Sequence, residues 1–246
     1  MTKDEIYQKI LQEAKNDPEV IGFILSAGRG KGFVTENSDY DILIIVPDDK
    51  RDEYKEKYEK KYYSTEEIDI GVFSLSEFKT YAAWGSENAY HRYNFTYLKA
   101  QIDRNGEIQK LIDGKGIIPV DRVREFVSGE FGKYINSYYR AIKNHRDGNM
   151  LASRLDGTES MFALIAILFG LEGRLRPYNK YLEWDLENHP LKLLPWSPQI
   201  FLENIKGVFA TGDIEIQKDA FKSVCELCKI QGYNKVIDDW KGYYLG

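Results

Sequence analysis

Apolar residues recur along the first half of the chain with two different spacings. A helix is predicted over residues 3–15, where apolar side chains return every three or four positions. Strands are predicted at 20–25 and 42–46, which are continuous apolar runs, and at 67–73, where polar and apolar residues alternate before the run becomes apolar. The pattern indicates a sheet with flanking helices in this half.

The second half of the chain has helical periodicity almost throughout. Helices are predicted at 121–144, 149–171, 198–211 and 213–231, and a segment with two glycines and a proline, 114–119, precedes them. We therefore predict an α+β protein. Its mixed-sheet domain would cover residues 1–118 and a helical bundle residues 119–246, with a cleft between the two.

Residues 48–61 are dense in Lys, Glu, Asp and Tyr. Two interpretations stay open for them, a solvated helix or a long charged excursion near the rim of a site. Further on, His91 and Arg92 lie in an aromatic, amphipathic segment. They either face a ligand or lie exposed on a helix.

Candidate catalytic residues are concentrated just before the strand at 42–46 and at its start. Asp39 and Asp41 are separated by one residue, so in an extended chain their side chains project on the same side. Two adjacent carboxylates repel and raise each other's pKa unless a cation lies between them. Mg²⁺ suits such a pair because it combines carboxylate oxygens with water and substrate phosphates.

Three glycines precede these acids, and a third acid follows them. Gly28, Gly30 and Gly32 allow positive φ and close approach of backbone N–H groups to an anion. Asp69 falls on the polar side of the strand at 67–73, although a register slip of one residue would turn it into the core. With a third carboxylate at hand, a site of this kind can hold two divalent ions that activate an attacking oxygen and stabilise leaving pyrophosphate.

This order of elements resembles the nucleotidyltransferase superfamily, which has a polymerase-beta-like sheet and includes aminoglycoside and lincosamide nucleotidyltransferases. Similar members carry Gly-Ser-Arg-Gly-Lys-Gly before Ser-Asp-Tyr-Asp, whereas this chain has Ala-Gly-Arg-Gly-Lys-Gly over residues 27–32. Gly28 thus replaces a serine whose hydroxyl contacts a nucleotide phosphate in the family. Ser26 lies two residues earlier, and the expected consequence is a weaker hold on triphosphate.

The resemblance implies roles for individual residues. Asp39, Asp41 and Asp69 would be catalytic and would bind Mg²⁺, with two ions present when nucleotide is bound. The residues implied in nucleotide binding are Gly28, Arg29, Gly30, Lys31, Ser38, Tyr178 and Lys180. The last two belong to an Arg-Pro-Tyr-Asn-Lys sequence that resembles a motif in the helical half of bacterial relatives. A packed loop between helices is the alternative for this segment.

A general base could come from the helical half. Asp156 and Glu159 are three positions apart and so share part of one helix face. Asp69 itself is a third candidate, and the sequence does not choose among them. An N-cap role for Asp156 or Thr158 is an equally good interpretation.

The composition and charge of the chain limit the kinds of binding partner that we expect. With 43% apolar residues and a net charge of −5, the chain can form a sizeable core and lacks the basic balance typical of nucleic-acid binding. No apolar run is long enough to cross a membrane, and the first residues carry no signal-peptide segment, so we expect a cytoplasmic protein. Cys225 and Cys228 form a lone CxxC, predicted to be two reduced, partly buried thiols.

The leading hypothesis is transfer of a nucleoside monophosphate, with AMP from ATP as the expected donor, to a hydroxyl of a small molecule with release of pyrophosphate. By resemblance, an aminoglycoside-type antibiotic is a reasonable acceptor. A toxin-like enzyme that modifies a protein or a tRNA is one alternative. A nucleotide-binding or scaffold protein that has lost catalysis is another. The sequence leaves the oligomeric state open.

Overall fold

The computed structural model describes residues 2–62 and 67–240, without the side chains of residues 61 and 62. The chain divides into two compact units between Ile117 and Ile118. We describe each unit separately.

The first unit alternates helices and strands. Its elements are α1 (Lys3–Asn16), β1 (Gly22–Leu25), α2 (Ala27–Lys31), β2 (Tyr40–Val46), α3 (Arg51–Tyr62), β3 (Ile68–Ser74), α4 (Leu75–Thr80), β4 (Ala100–Asp103) and α5 (Glu107–Lys115), with 3₁₀ helices at Asp48–Lys50 and Ala89–Phe95.

The strands found in the described residues form one sheet in the order β3-β2-β1-β4. The β2–β3 pair is parallel, and β1 is antiparallel to both β2 and β4, so the sheet is mixed as predicted. One face packs on α1 and α3 through side chains such as Phe23 and Ile44. The other face packs on α4 and α5, where Ile24 and Ile45 meet Phe78 and Ile108. Alternation along β2 therefore gives its residues to two different cores.

The charged segment at 48–61 forms a short 3₁₀ turn and helix α3, which decides between the two interpretations in favour of a helix. Its tyrosines Tyr54 and Tyr58 are buried against the sheet, while the Lys and Glu side chains between them lie towards solvent. The Tyr54 hydroxyl donates a 2.7 Å hydrogen bond to Asp17 at the end of α1. A sequence without an obvious apolar stripe thus packs through tyrosine rings.

The second unit is helical. Its elements are α6 (Val123–Arg146), α7 (Met150–Gly170), α8 (Leu182–Asn188), α9 (Pro198–Thr211), α10 (Ile214–Ile230) and α11 (Asn234–Asp238), with 3₁₀ helices at Val120–Arg122 and Asn179–Tyr181. The short connection between α6 and α7 makes them antiparallel neighbours, with Gly148 at φ 79° in the turn. The predicted α+β class is confirmed.

Cys225 and Cys228 lie on α10 in the core of this unit, as free and buried thiols. Burial raises the pKa of each thiol to about 12, which keeps both protonated at neutral pH. Within the described ranges, no helix combines the length and the apolar character that crossing a bilayer requires.

Candidate active site

Two of the predicted acids meet on the sheet. Asp41 of β2 and Asp69 of β3 are direct partners in the parallel register. Neighbouring strands are about 4.8 Å apart, and partners in register point to the same face. Asp69 is exposed between buried Ile68 and Ile70, so the one-residue slip that would have buried it does not occur.

A cavity of about 360 Å³ opens above this pair. Polar side chains form much of its wall, and those with titratable or hydrogen-bonding groups are Ser26, Asp41, Glu59, Asp69, Tyr81, His91 and Asn94. Its described lining includes no lysine or arginine. The cavity therefore has acidic character and suits a cation.

Asp39 lies in the turn before β2 and is exposed. Within residues 2–62 and 67–240, no group of three or more His, Cys, Asp or Glu side chains lies close enough to form a metal site. The structure thus brings Asp41 and Asp69 together but does not bring Asp39 into a three-residue cluster with them. A pair of carboxylates still fits Mg²⁺, because this ion commonly takes one or two carboxylates and completes its shell with water and substrate phosphates.

The glycine-rich segment is helical, and of the three glycines expected to allow positive φ only Gly32 has it. Gly28 and Gly30 lie in α2, and the positive φ values occur at Gly32 (84°), which caps the helix, and at Ala27 (49°). A Cβ on Gly30 would lie 2.0 Å from the carbonyl oxygen of Leu25, so close packing of α2 on β1 requires glycine there. Ala27 holds a backbone conformation that non-glycine residues seldom adopt.

Arg29 and Lys31 also differ from the prediction. The Arg29 guanidinium donates to the carbonyl oxygen of Ser38 at 3.0 Å and lies 4.0 Å from the centre of the Tyr40 ring. Lys31 is buried, and its Nζ donates to the carbonyl oxygens of Tyr93 at 2.7 Å and Thr96 at 2.6 Å. The Lys31 ammonium is thus directed at backbone carbonyls inside the fold, and its expected phosphate role stays a prediction.

Ser38 shapes the turn that leads to Asp39. Its Oγ accepts a 2.8 Å hydrogen bond from the backbone N–H of Thr35, and its carbonyl oxygen accepts from Lys3 and Arg29. These contacts hold the backbone of the turn. They give Ser38 a structural role in addition to the predicted nucleotide contact.

The 3₁₀ helix Ala89–Phe95 supplies another wall of the cavity. His91 lines it and stacks on Tyr81, with ring centres 5.6 Å apart, and burial lowers the His91 pKa from its ordinary value. Arg92 is buried and donates to the carbonyl oxygens of Ala82 and Ile117 at 2.9 and 2.7 Å. His91 therefore faces the cavity, whereas neither possibility describes Arg92, which is buried and donates to backbone carbonyls.

The predicted base candidates lie in the second unit and share one arginine. Asp156 is buried in the middle of α7 and accepts hydrogen bonds from Arg140 and, at 2.8 Å, from Asn144. Glu159 accepts from Arg140 at 3.0 Å. Because α7 begins at Met150, the N-cap interpretation of Asp156 and Thr158 is wrong.

Tyr178 and Lys180 also lie in the second unit, beside and within the 3₁₀ helix Asn179–Tyr181. Lys180 is exposed, with its Nζ 4.8 Å from the centre of the Tyr181 ring. This contact keeps the ammonium at the surface. Its predicted nucleotide contact stays a prediction.

Some residues around the cavity carried little signal in the sequence. Glu59 belongs to a run of charged residues, and its place beside the cavity follows only from the packing of α3 on β3. Its carboxylate accepts a 2.9 Å hydrogen bond from the backbone N–H of Val72. Ser26 lies outside the family's usual serine position, yet it lines the same cavity as Asp41 and Asp69. A search for polar residues at strand ends would have found Ser26.

Comparison with known proteins finds a domain family in the first unit. Residues 7–94 match the model of the nucleotidyltransferase domain family. A solved structure of a nucleotidyltransferase-like protein from Exiguobacterium sibiricum 255-15 is similar at 13% identity and a TM-score of 0.40, covering 93% of this chain and 80% of that one. A search of curated proteins found no match. The matched region begins within α1 and ends in the 3₁₀ helix Ala89–Phe95, so a nucleotidyltransferase domain occupies most of the first unit.

Proposed function

We propose that this enzyme transfers a nucleoside monophosphate, AMP from ATP, to a hydroxyl group of a small molecule and releases pyrophosphate in a Mg²⁺-dependent reaction. The observation that carries the proposal is the parallel register of Asp41 and Asp69 at the wall of one cavity. The match to the nucleotidyltransferase domain over the same residues supports the general reaction.

Asp41 and Asp69 are the proposed ligands of Mg²⁺, and exposed Asp39 joins them when nucleotide brings its phosphates to the site. Bound Mg²⁺ would supply charge neutralisation at the α-phosphate and at the leaving pyrophosphate. The chain itself supplies the positions of these oxygens, because β2 and β3 are held in register along seven residue pairs. Catalysis of this kind consists largely of positioning and electrostatic stabilisation.

Ser26 is the proposed replacement for the family serine that is absent at position 28. It ends β1, is 7% exposed, lines the cavity, and its side chain makes no helix-capping hydrogen bond. A hydroxyl so placed can donate to a phosphate oxygen. This role accounts for a nucleotide site that lacks serine at position 28.

In the proposed reaction the acceptor hydroxyl oxygen attacks the α-phosphorus, a P–O bond forms, and the bond to the bridging oxygen of the β-phosphate breaks. The hydroxyl proton passes to Asp69. We favour Asp69 over Asp156 because Asp156 is buried and both of its oxygens already accept hydrogen bonds from Arg140 and Asn144. Glu159 also contacts Arg140.

The charge of the cavity wall supports our proposal for the class of acceptor. Its wall contains Glu59 together with the two aspartates, and the described lining has no lysine or arginine. Such a wall favours an acceptor that carries amino groups beside its hydroxyls, and an aminoglycoside-type compound has this chemistry. A tRNA end fits it poorly, since a polyanion would meet these carboxylates.

A pyrophosphate-release assay tests the proposal. Nucleoside triphosphates are combined with a panel of amino- and hydroxyl-bearing compounds, with and without Mg²⁺, using the wild-type chain, Asp41→Asn and the exposed-surface control Asp49→Asn. We expect release that requires both Mg²⁺ and an acceptor, loss of that release in Asp41→Asn, and unchanged release in the control. Equal rates in the wild type and Asp41→Asn would remove this site from consideration.

A further inference from the structure

Another cavity, of about 550 Å³, lies within the helical unit. It is formed by one face of α6 and one face of α7, with Arg176 from the segment after α7. The α6 positions that line it are Phe126, Glu130, Lys133, Asn136, Ser137 and Arg140. These positions recur mainly every three or four residues, so they form a continuous stripe on that helix.

The facing stripe on α7 is apolar at its centre. Phe162, Ala163 and Ala166 line the cavity, and the two alanines are 7% and 5% exposed. Small side chains at these positions leave the space that larger residues would fill. The cavity thus has an apolar floor below a charged rim.

Arg176 is the unusual member of the wall. Its Nε is buried and has no hydrogen-bond partner among the described residues, while its Nη2 donates to Asn179 at 2.8 Å. The guanidinium carbon lies 4.8 Å from the centre of the Phe162 ring. A buried N–H without an acceptor is costly, and the guanidinium stays charged at neutral pH.

The other charges of the wall have partners within the protein. Lys133 donates to Glu130 at 2.6 Å, and Arg140 contacts Glu159 and Asp156. Among these charges, Arg176 has incomplete hydrogen bonding, at Nε. Burial lowers the pKa of its guanidinium, and the charge of nearby Glu130 acts in the opposite direction. An anion that enters the cavity would provide the acceptor that Nε lacks.

We propose that this cavity is a second ligand site, which binds a small molecule with a carboxylate or phosphate joined to an aromatic ring. The anionic group accepts from Arg176, and the ring packs on Phe162 and the two alanines. Arginine is suited to such a role because its planar donors match both anionic groups and its face stacks on rings. None of its lining residues lines the sheet cavity.

Isothermal titration of the full chain with phenyl phosphate and phenylacetate tests the proposal. We expect saturable binding of at least one of them and at least tenfold weaker binding to Arg176→Gln. The matched control is Arg122→Gln, which removes an exposed guanidinium paired with Asp121 and Glu125 in the same unit, and it should bind like the wild type. Circular dichroism establishes that each variant is folded.

A second variant, Asn136→Trp, places a large ring in the cavity from the α6 side while keeping Arg176, and it should also abolish binding. Benzyl alcohol and inorganic phosphate, which each lack half of the recognised chemistry, should bind at least tenfold more weakly than the complete probes. Binding that survives both variants, or absence of binding by both complete probes, would overturn the proposal.

Competition with ATP separates this site from the first one. Saturating ATP with Mg²⁺ should leave the affinity for the probes unchanged, and Asp41→Asn should bind them like the wild type. Displacement of the probe by ATP would show that the cavity belongs to the nucleotide site and would refute a second site. A failure of nucleotide transfer would leave these binding results unaffected.

Discussion

The molecule contains two pairs of acids in different surroundings. Asp41 and Asp69 meet across two strands at a cavity whose described wall has no lysine or arginine. Asp156 and Glu159 lie one turn apart on α7, and both contact Arg140. Asp41 and Asp69 form the pair that we propose to bind an external cation, whereas the protein itself supplies a cation to Asp156 and Glu159.

The difference shows what makes an acidic pair a candidate for metal binding. A carboxylate that already has an arginine partner gains little from a metal ion, because the ion must first displace that contact. Asp41 and Asp69 instead line a cavity whose described wall includes no lysine or arginine, which favours a cation there. The surroundings of the carboxylates therefore distinguish the two pairs.

The largest expected effect is on catalysis, from Asp69→Asn. The change removes a proposed metal ligand and base while keeping its shape, so we expect at least a 1,000-fold loss of pyrophosphate release, equivalent to about 4 kcal/mol in the activation barrier. The melting temperature should change little, because Asp69 is exposed. Retained activity would show that Asp69 is not needed for catalysis and would remove the proposed difference between Asp69 and Asp156.

A cation next to the site gives the next largest effect. Lys31→Met removes an ammonium that is 8% exposed and donates to the carbonyl oxygens of Tyr93, Asn94 and Thr96. These carbonyls would lose charged donors, and we expect the free energy of unfolding to fall by about 3 kcal/mol. Urea denaturation measures it, and the KM for ATP should stay within about threefold of the wild type.

A phosphate role for Lys31 makes the opposite prediction. In that case KM for ATP would rise by tenfold or more while urea denaturation stayed unchanged. The variant thus decides whether this lysine supports the fold or the substrate.

Asp156→Asn tests the acid pair of the helical unit. Asn keeps the size of the side chain but loses the charge that Arg140 contacts, so we expect the free energy of unfolding to fall by about 2 kcal/mol. Glu159→Gln is the matched control, because Glu159 is 61% exposed and its ion pair should contribute less than about 1 kcal/mol. Nucleotide transfer should persist in both variants, and its loss in Asp156→Asn alone would restore this residue as the general base.

Much of the first unit could be predicted from local pattern. The apolar run at 42–46 lies within β2, and alternation along a strand was enough to expect Asp41 on the side opposite buried Ile42. The position of Asp69 followed from the same rule, although only the pairing with β2 shows that it is the direct neighbour of Asp41. Alternation along a strand shows which face of the sheet a residue occupies, but it does not show which strand lies beside it.

The glycine-rich segment could not be predicted in the same way. Glycine favours open turns, but α2 is fixed by contacts beyond the segment, such as the close approach of Gly30 to Leu25. Lys31 finds its acceptors more than sixty positions further along the chain. A cation in a glycine-rich sequence resembles a phosphate ligand until tertiary packing shows where its side chain lies.

The smallest predicted effect concerns His91, the imidazole at the wall of the sheet cavity. Burial lowers its pKa in the folded protein below the ordinary value of 6.5. As the pH falls through 6.5, the unfolded chain therefore takes up a proton before the folded protein does, and the free energy of unfolding decreases.

His91→Gln lacks this group, so the melting temperature of the wild type should fall relative to that of the variant between pH 7.5 and 5, by a few degrees at most. Above pH 7.5 the difference should be constant, because the imidazole is neutral in both states. A wild type that gained stability over the variant on acidification would indicate that His91 binds its proton more tightly when folded, as expected if the carboxylates of the cavity outweigh its burial.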